Sequence, residues 1–171
     1  MQYKGRISWF TVMEWWEYRD NDIDGDRAGK SRVTLGINKE PGIGQELYWH
    51  LDAQKMQPQS EKFNRLWEHK NKRVPVPIGK WFVIESFFKP GDESTGRIWV
   101  SITPDSGERR VLFDVHNYTQ HPDDPQPHRG WQFFKLYTSS SILDYMRKAG
   151  RPVAGYYDDI EYWSDFPPER P

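Results

Sequence analysis

Several short runs of this 171-residue chain place polar or aromatic side chains at alternate positions. Tyr48, His50, Asp52 and Gln54 alternate with Leu47, Trp49, Leu51 and Ala53. Arg97, Trp99 and Ser101 alternate with Ile98, Val100 and Ile102, while Asp114 and His116 interleave with Phe113 and Val115. Lys135 and Tyr137 flank Leu136, and Glu85 follows Ile84. Successive side chains of a β-strand point to opposite faces, so each set shares one side of its strand. If the strands share a sheet, its wet face collects Tyr48, His50, Asp52, Gln54, Glu85, Arg97, Trp99, Asp114, His116, Lys135 and Tyr137. Such a face suits a polyhydroxylated ligand: rings of Trp99 and Tyr48 stack on sugars, and the carboxylates and amide bond hydroxyl groups, with no perturbed pKa required. The same types also meet the needs of β-elimination from a uronic-acid polymer. His50 or His116 would be the base, Tyr137 or Tyr48 the acid, and Arg97, Lys135 or Gln54 the group that neutralises the substrate carboxylate. The plain alternative is an ordinary solvated sheet face.

Other constellations are sparser. Asp20-Asn21-Asp22-Ile23-Asp24-Gly25 matches the opening of a calcium loop, with oxygen ligands at alternate positions and a glycine for the turn, but the twelfth position is Ser31 rather than a bidentate Glu. Asp20, Asp22 and Asp24 are therefore calcium candidates that an acidic turn explains as well. Asp159, sharing a parity with Glu161, is a fourth. His121 and His128 lack the compact spacing of a zinc site. No G-x-S-x-G elbow occurs, and Ser139-Ser140-Ser141 reads as a helix cap.

These residues need strands to position them, and the punctuation supplies strands. Thirteen Gly and 13 Pro are spread along the chain between short β-branched and aromatic runs. The runs are 7–13, 32–38, 45–54, 81–88, 97–103, 109–116, 131–138 and 156–163. Pro104-Asp105-Ser106-Gly107 and the stretch 90–96 close hairpins. One helix is expected from Ser140 or Ser141 to Lys148, with Ile142, Leu143, Tyr145 and Met146 as its apolar stripe and Gly150 beyond its end. A second short helix over 60–69 is weaker. This pattern predicts a single all-β domain over 1–171, an antiparallel two-sheet β-sandwich with one or two short helices.

Composition limits the partners. Lys and Arg number 24 against 25 Asp and Glu, a formal net charge of −1, which supplies no general cationic field for nucleic acid or anionic membranes. No run approaches the roughly 18 apolar residues of a membrane span. The absence of Cys excludes disulfides, thiolate chemistry and cysteine metal sites. Nine Trp, 9 Tyr and 9 Phe in a chain only 36% hydrophobic must form most of the core or be partly displayed. Trp49 and Trp81 are expected to be structural, Trp99 exposed, and one of Trp15 and Trp16 exposed because adjacent strand residues face opposite ways.

Three segments carry a resemblance. Gly79-Lys80-Trp81-Phe82-Val83-Ile84-Glu85 followed by Gly96-Arg97-Ile98-Trp99-Val100 resembles the strand-loop-strand pattern of concanavalin-A-like jelly rolls. Phe133-Phe134-Lys135-Leu136-Tyr137 resembles a late strand of the polysaccharide lyases of that fold, and Tyr156 to Trp163 the closing strand of carbohydrate-binding jelly rolls, whose aspartate often holds calcium. The R-x-E-x-R and Q-I-H strands of the lyases and the E-x-D-x-x-E of the glucanases are absent, and Lys135 and Tyr137 are two apart rather than four. The resemblance implies a concanavalin-like jelly roll that binds polysaccharide, acting extracellularly as a noncatalytic module, with structural calcium as the one cofactor. The alternatives are a small lyase using His50, Tyr137, Arg97 and Lys135, a hydrolase, or an interaction domain whose rings are all core. Met1 to Arg6 carries no signal-peptide apolar stretch, and the start in a strand-like run and the Pro-rich end suit a monomer or a module of a larger chain.

Overall fold

The computed structural model describes residues 3–17, 31–57, 62–133 and 135–167, with Arg129 in its backbone only. Strand accounts for 45% and helix for 6% of the described residues, which form an all-β, two-sheet antiparallel sandwich with one short helix. The strands are β1 (Phe10–Glu17), β2 (Ser31–Lys39), β3 (Leu47–Met56), β4 (Phe63–Asn71), β5 (Phe82–Lys89), β6 (Arg97–Pro104), β7 (Arg110–His116), β8 (His128–Gln132) and β9 (Tyr137–Thr138), followed by α1 (Ser140–Lys148). The larger sheet has the order β4-β3-β2-β1-β8, with β9 also pairing β1; the smaller has the order β5-β6-β7. Strands adjacent in sequence are adjacent in each sheet, so the chain runs as one meander, crosses over, runs as a second, and returns along the free side of β1.

Period two decides what lies between the sheets. Met13, Trp15, Val33, Leu35, Trp49, Leu51, Ala53 and Trp67 of the larger sheet meet Ile98, Val100, Ile102, Leu112, Phe113 and Val115 of the smaller. The Trp15 ring stacks on Phe88 with centroids 5.6 Å apart, and Trp49 meets Phe82 edge-on at 6.2 Å. Trp49 is fully buried and its indole N–H has no partner among the described residues. Burying that ring is worth about 4–6 kcal/mol, against about 1–3 kcal/mol for the unmet donor, so the apolar gain wins. Trp81, expected in the core, is 56% exposed just outside β5.

Three expected elements differ. The stretch after residue 62 is the edge strand β4, not a helix. Its pairing with β3 carries a bulge at Ala53/Gln54, so Trp67 faces Ala53, Arg65 faces Gln54, and Leu66 is the extra residue. Leu66 and Trp67 both pack on the core, and with Phe63 they take the three- and four-residue spacing of a helix. The 131–138 run splits into β8 and β9 around a turn at Phe133. Tyr156 to Trp163 forms no strand; Tyr156 and Tyr162 are largely exposed, and Asp159 has φ 50°. The helix stands as expected, though its N-cap is Ser139. Gly150 at φ 66° ends it, with its N–H donating to Arg147 O and the Arg151 N–H to Met146 O, both at 3.0 Å. That pair of bonds is a Schellman cap.

The Pro-rich loop before β8 is anchored from below. The buried Glu17 carboxylate accepts from the Ser31 hydroxyl, the Gln126 N–H and, at 2.7 Å, the His121 N–H. Burial pushes its pKa up while these bonds oppose the rise. The Asp123 and Asp124 N–H groups donate to His121 Nδ1. The loop ends at His128, whose ring lies 4.7 Å from Phe88.

Burial lowers the His128 pKa to about 4, outweighing a backbone contact with Thr119 that favours the charged form. The unfolded chain takes up this proton near pH 6.5 and the folded one does not, so the stability held by neutral His128 is complete above about pH 6.5. It is lost as pH falls toward 4, by up to about 3 kcal/mol. Glu17 and Asp52, whose pKa values are raised, act with the opposite sign. Urea unfolding of the protein and of His128→Gln across pH 4–7 isolates the histidine: the stability difference should shrink as pH falls, and parallel profiles would rule the assignment out.

Candidate functional site

Packing one face of β1, β2 and β3 leaves the other face polar. The register aligns Glu14, Thr34, Asp52 and Glu68 in one row across β1 to β4. On one side of this row lies Trp16, Arg32, Gln54 and Arg65; on the other lies Thr11, Gly36, His50 and Lys70, with Tyr137 of β9 beside Thr11. Three carboxylates and a threonine are thus held between two rows that carry cations.

The rows are bonded to one another. Arg32 donates to Glu14 Oε1 at 3.0 Å and twice to Gln54 Oε1, at 3.0 and 2.7 Å; Gln54 Nε2 donates to Asp52 Oδ2 at 2.5 Å. Lys135 and Thr34 also donate to Glu14, and Arg65 pairs with both Asp52 and Glu68. His50 Nε2 donates to Glu68 Oε2 at 3.3 Å, and Lys70 Nζ lies 3.5 Å from Glu68 Oε1. The Glu14 and Asp52 side chains are only 1% and 3% exposed, whereas the Arg65 side chain is 52% exposed. Burial raises the Asp52 pKa against the opposing effects of His50, Gln54 and the two arginines. Burial pushes Glu68 up as well, but its bond to His50 and the neighbouring Arg65 and Lys70 leave it below the usual range.

Aromatic rings border this chain of polar groups. Lys135 Nζ lies 5.3 Å from the Tyr137 ring centroid and 5.7 Å from that of Trp16. The Arg32 guanidinium covers Phe63 at 3.9 Å and Trp16 at 5.3 Å. Tyr137 packs against Trp9 with centroids 4.8 Å apart, and both rings retain exposed area, 58% and 38% of their residues.

The expected wet face is therefore two faces on opposite sides of the sandwich. Tyr48, His50, Asp52, Gln54 and Tyr137 belong to the larger sheet, and Lys135, between β8 and β9, reaches its outer face through Glu14. Tyr48 is buried, its hydroxyl donating to Glu40 at 3.0 Å beneath the Lys72 ammonium. Glu85, Arg97, Trp99, Asp114 and His116 belong to the smaller sheet. There Arg97 forks onto Asp114 at 2.8 and 2.9 Å, His116 is exposed beside the same carboxylate, and Arg109 with Ser101 binds Glu85. Trp99, expected to be exposed, is only 6% so. Its parity is outward, as expected, but Phe166 and Arg109 cover the ring at 4.8 and 5.8 Å.

The four residues required for a lyase do not converge. His50 and Tyr137 stand in one row with Gly36 and Thr11 between them, three strand spacings or about 14 Å apart at the backbone. Arg97 lies on the other sheet, and Lys135 is paired with Glu14. Of the calcium candidates, Asp20, Asp22 and Asp24 lie outside the described residues. Asp159 is exposed and its N–H donates to Asp158. No group of three acidic or histidine side chains able to hold a metal occurs among the described residues.

Glu14, Arg32 and Thr34 are missing from the expected wet face, although their signal is present: Arg32 and Thr34 alternate with Val33 and Leu35, and Glu14 with Met13 and Trp15. Of the Trp15 and Trp16 pair, Trp15 is buried and Trp16 is the half-buried outward member. Arg65 and Glu68 were hidden by the helical spacing of their strand. Comparison of the chain with protein-family models, with curated proteins and with solved structures finds no match.

The burial of Trp99 sets an expectation opposite to that of an exposed ring. Trp99→Ala should cost about 3 kcal/mol in urea unfolding, the low end for truncating a buried aromatic. Combined with Phe166→Ala, the costs should be non-additive because the two rings touch. A Trp99→Ala cost within about 0.5 kcal/mol of zero would return Trp99 to the surface.

Proposed function

We propose that the outer face of the larger sheet binds polysaccharide without cleaving it. The observation that carries this reading is the exposed Trp9–Tyr137 ring pair beside the bonded chain Lys135–Glu14–Arg32–Gln54–Asp52. A pyranose offers an apolar ring face and a rim of hydroxyls, and it needs an aromatic surface next to donors and acceptors whose positions are already fixed. Here the rings supply the first, and the partly exposed Arg32, Gln54 and Lys135, held in place by the buried Glu14 and Asp52, supply the second at little ordering cost. Neutral hydrogen bonding to sugar hydroxyls calls on no shared acid–base centre, which agrees with the separation of His50 from Tyr137. As a noncatalytic module the domain would hold its ligand for chemistry carried out elsewhere.

A second reading rests on a different observation. Trp131, Tyr156, Ile160, Tyr162 and Trp163 are each more than half exposed, and Phe133 joins Trp131 to Tyr162 through ring contacts at 5.7 and 5.6 Å. Exposed apolar area of this kind is typical of protein-binding surfaces.

Calorimetric titration with a panel of soluble polysaccharides separates the two. Tyr137→Ala and Trp9→Ala should each weaken binding of a recognised polymer at least tenfold, about 1.4 kcal/mol, while His116→Ala on the opposite face leaves it unchanged. Failure of the native protein to bind any polymer in the panel, or loss of binding through His116→Ala alone, would discard the proposal.

A further inference from the structure

Part of the outer face of the smaller sheet is covered by a later segment of the chain itself. Phe87 of β5 and Trp99 of β6 are cross-strand partners. The Phe166 ring stands over both, at 4.8 Å from each centroid, and the Arg97 guanidinium lies 5.1 Å from its centroid. Arg97 is fixed there by its two bonds to Asp114, and Pro167 beyond the ring is buried. The slot therefore has two aromatic walls, a cation held in place by a carboxylate, and a place for a proline. Phe166 reaches it on a segment without regular secondary structure. The Phe166 N–H donates to the adjacent Asp165 carboxylate, and its ring packs on the sheet.

We propose that this slot is a binding site for a Phe-Pro peptide segment, occupied in cis by Phe166–Pro167 and open to the same segment in trans when the cis ring is removed. The site differs from the polysaccharide face in position and in chemistry: a phenyl ring between Phe87 and Trp99 under a guanidinium, with proline fixing the exit of the chain. Proline also lowers the ordering cost of the bound segment, because its φ is set before binding. A short tether supplies its segment at an effective concentration in the millimolar range. The tether raises the apparent dissociation constant of the free peptide by a factor of one plus the ratio of effective concentration to intrinsic dissociation constant. At an effective concentration of about 1 mM, a tenfold exclusion requires an intrinsic dissociation constant of about 0.1 mM, and the site then stays silent in the intact chain.

The test uses the full-length chain and a labelled synthetic peptide of the sequence Ser164 to Pro171, followed by fluorescence anisotropy. The peptide should bind Phe166→Ala with a dissociation constant at or below about 0.1 mM, and bind the native chain at least tenfold more weakly. A peptide with alanine at its phenylalanine should bind neither, and Trp99→Leu introduced into Phe166→Ala should abolish binding. A folded Phe166→Ala chain that ignores the peptide would show that the ring is ordinary packing and overturn the proposal. Equal binding to the native chain would overturn it too, by locating the peptide elsewhere. If Phe166→Ala does not fold, Phe166→Leu takes its place. If neither folds, the segment is an integral part of the sandwich and the proposal fails.

Discussion

Everything on the polar side of this protein follows from the pleat of β1, β2 and β3. Trp15, Val33, Leu35, Trp49 and Leu51 are all within 2% of full burial against the smaller sheet. With the odd positions committed inward, Glu14, Thr34 and Asp52 have only the opposite face. A slip of one residue would bury those three and expose the tryptophans, so the register is held by the whole apolar face rather than by any one pair. The register shifts once between β1 and β2, between Thr11 and Met13. There the β1 backbone comes down on Gly36, where a Cβ would meet Phe10 O at 3.0 Å. A side chain at 36 would have to push that backbone away.

The carboxylate row adds little net stability. A buried ion pair roughly repays its own desolvation, and apolar side chains of similar volume often serve as well or better. Removing one partner is a different matter, since it leaves the other charge buried and unmatched. Glu14 has partners in Arg32, Thr34 and Lys135, and Asp52 has Gln54 with Arg65 nearby. Such a network contributes little net free energy, but it holds each of its members in one orientation. Side chains fixed in this way on adjacent strands suit recognition of a rigid, hydroxyl-rich ligand, and a purely structural face could have been built more simply.

Much of the architecture was legible in the residues. β2, β3, β5, β6 and β7 sit within two residues of their expected bounds, because alternation with β-branched and aromatic residues is unambiguous there. The parity of Tyr48 to Gln54 and of Arg97 to Ser101 was legible as well. What alternation does not encode is which sheet a strand joins: the period is the same in both, so Glu85, Arg97, Asp114 and His116 merged with residues that lie on the far side of the sandwich. Nor does parity encode cover. Trp99 points outward as its neighbours suggest, yet the ring that shields it arrives from Phe166, far along the chain. β4 was lost to a bulge, since the extra Leu66 converts a two-residue period into a helical one.

The two outer faces solve the same problem differently. A sheet face rich in aromatic and charged groups must be wetted, paired or covered. The smaller sheet is covered: Trp99 lies under Phe166, and Glu85 is closed off by Arg109 and Ser101. The larger sheet is paired beneath and wetted above, with its carboxylates saturated by Arg32, Lys135 and Arg65 while Tyr137 and Trp9 keep open ring area. A ligand approaching Trp99 on the smaller sheet must first displace the chain's own segment, against a tethered competitor. One approaching the larger sheet displaces only water and finds its partners already oriented, which is why the proposal puts polysaccharide binding on the larger sheet and the peptide slot on the smaller.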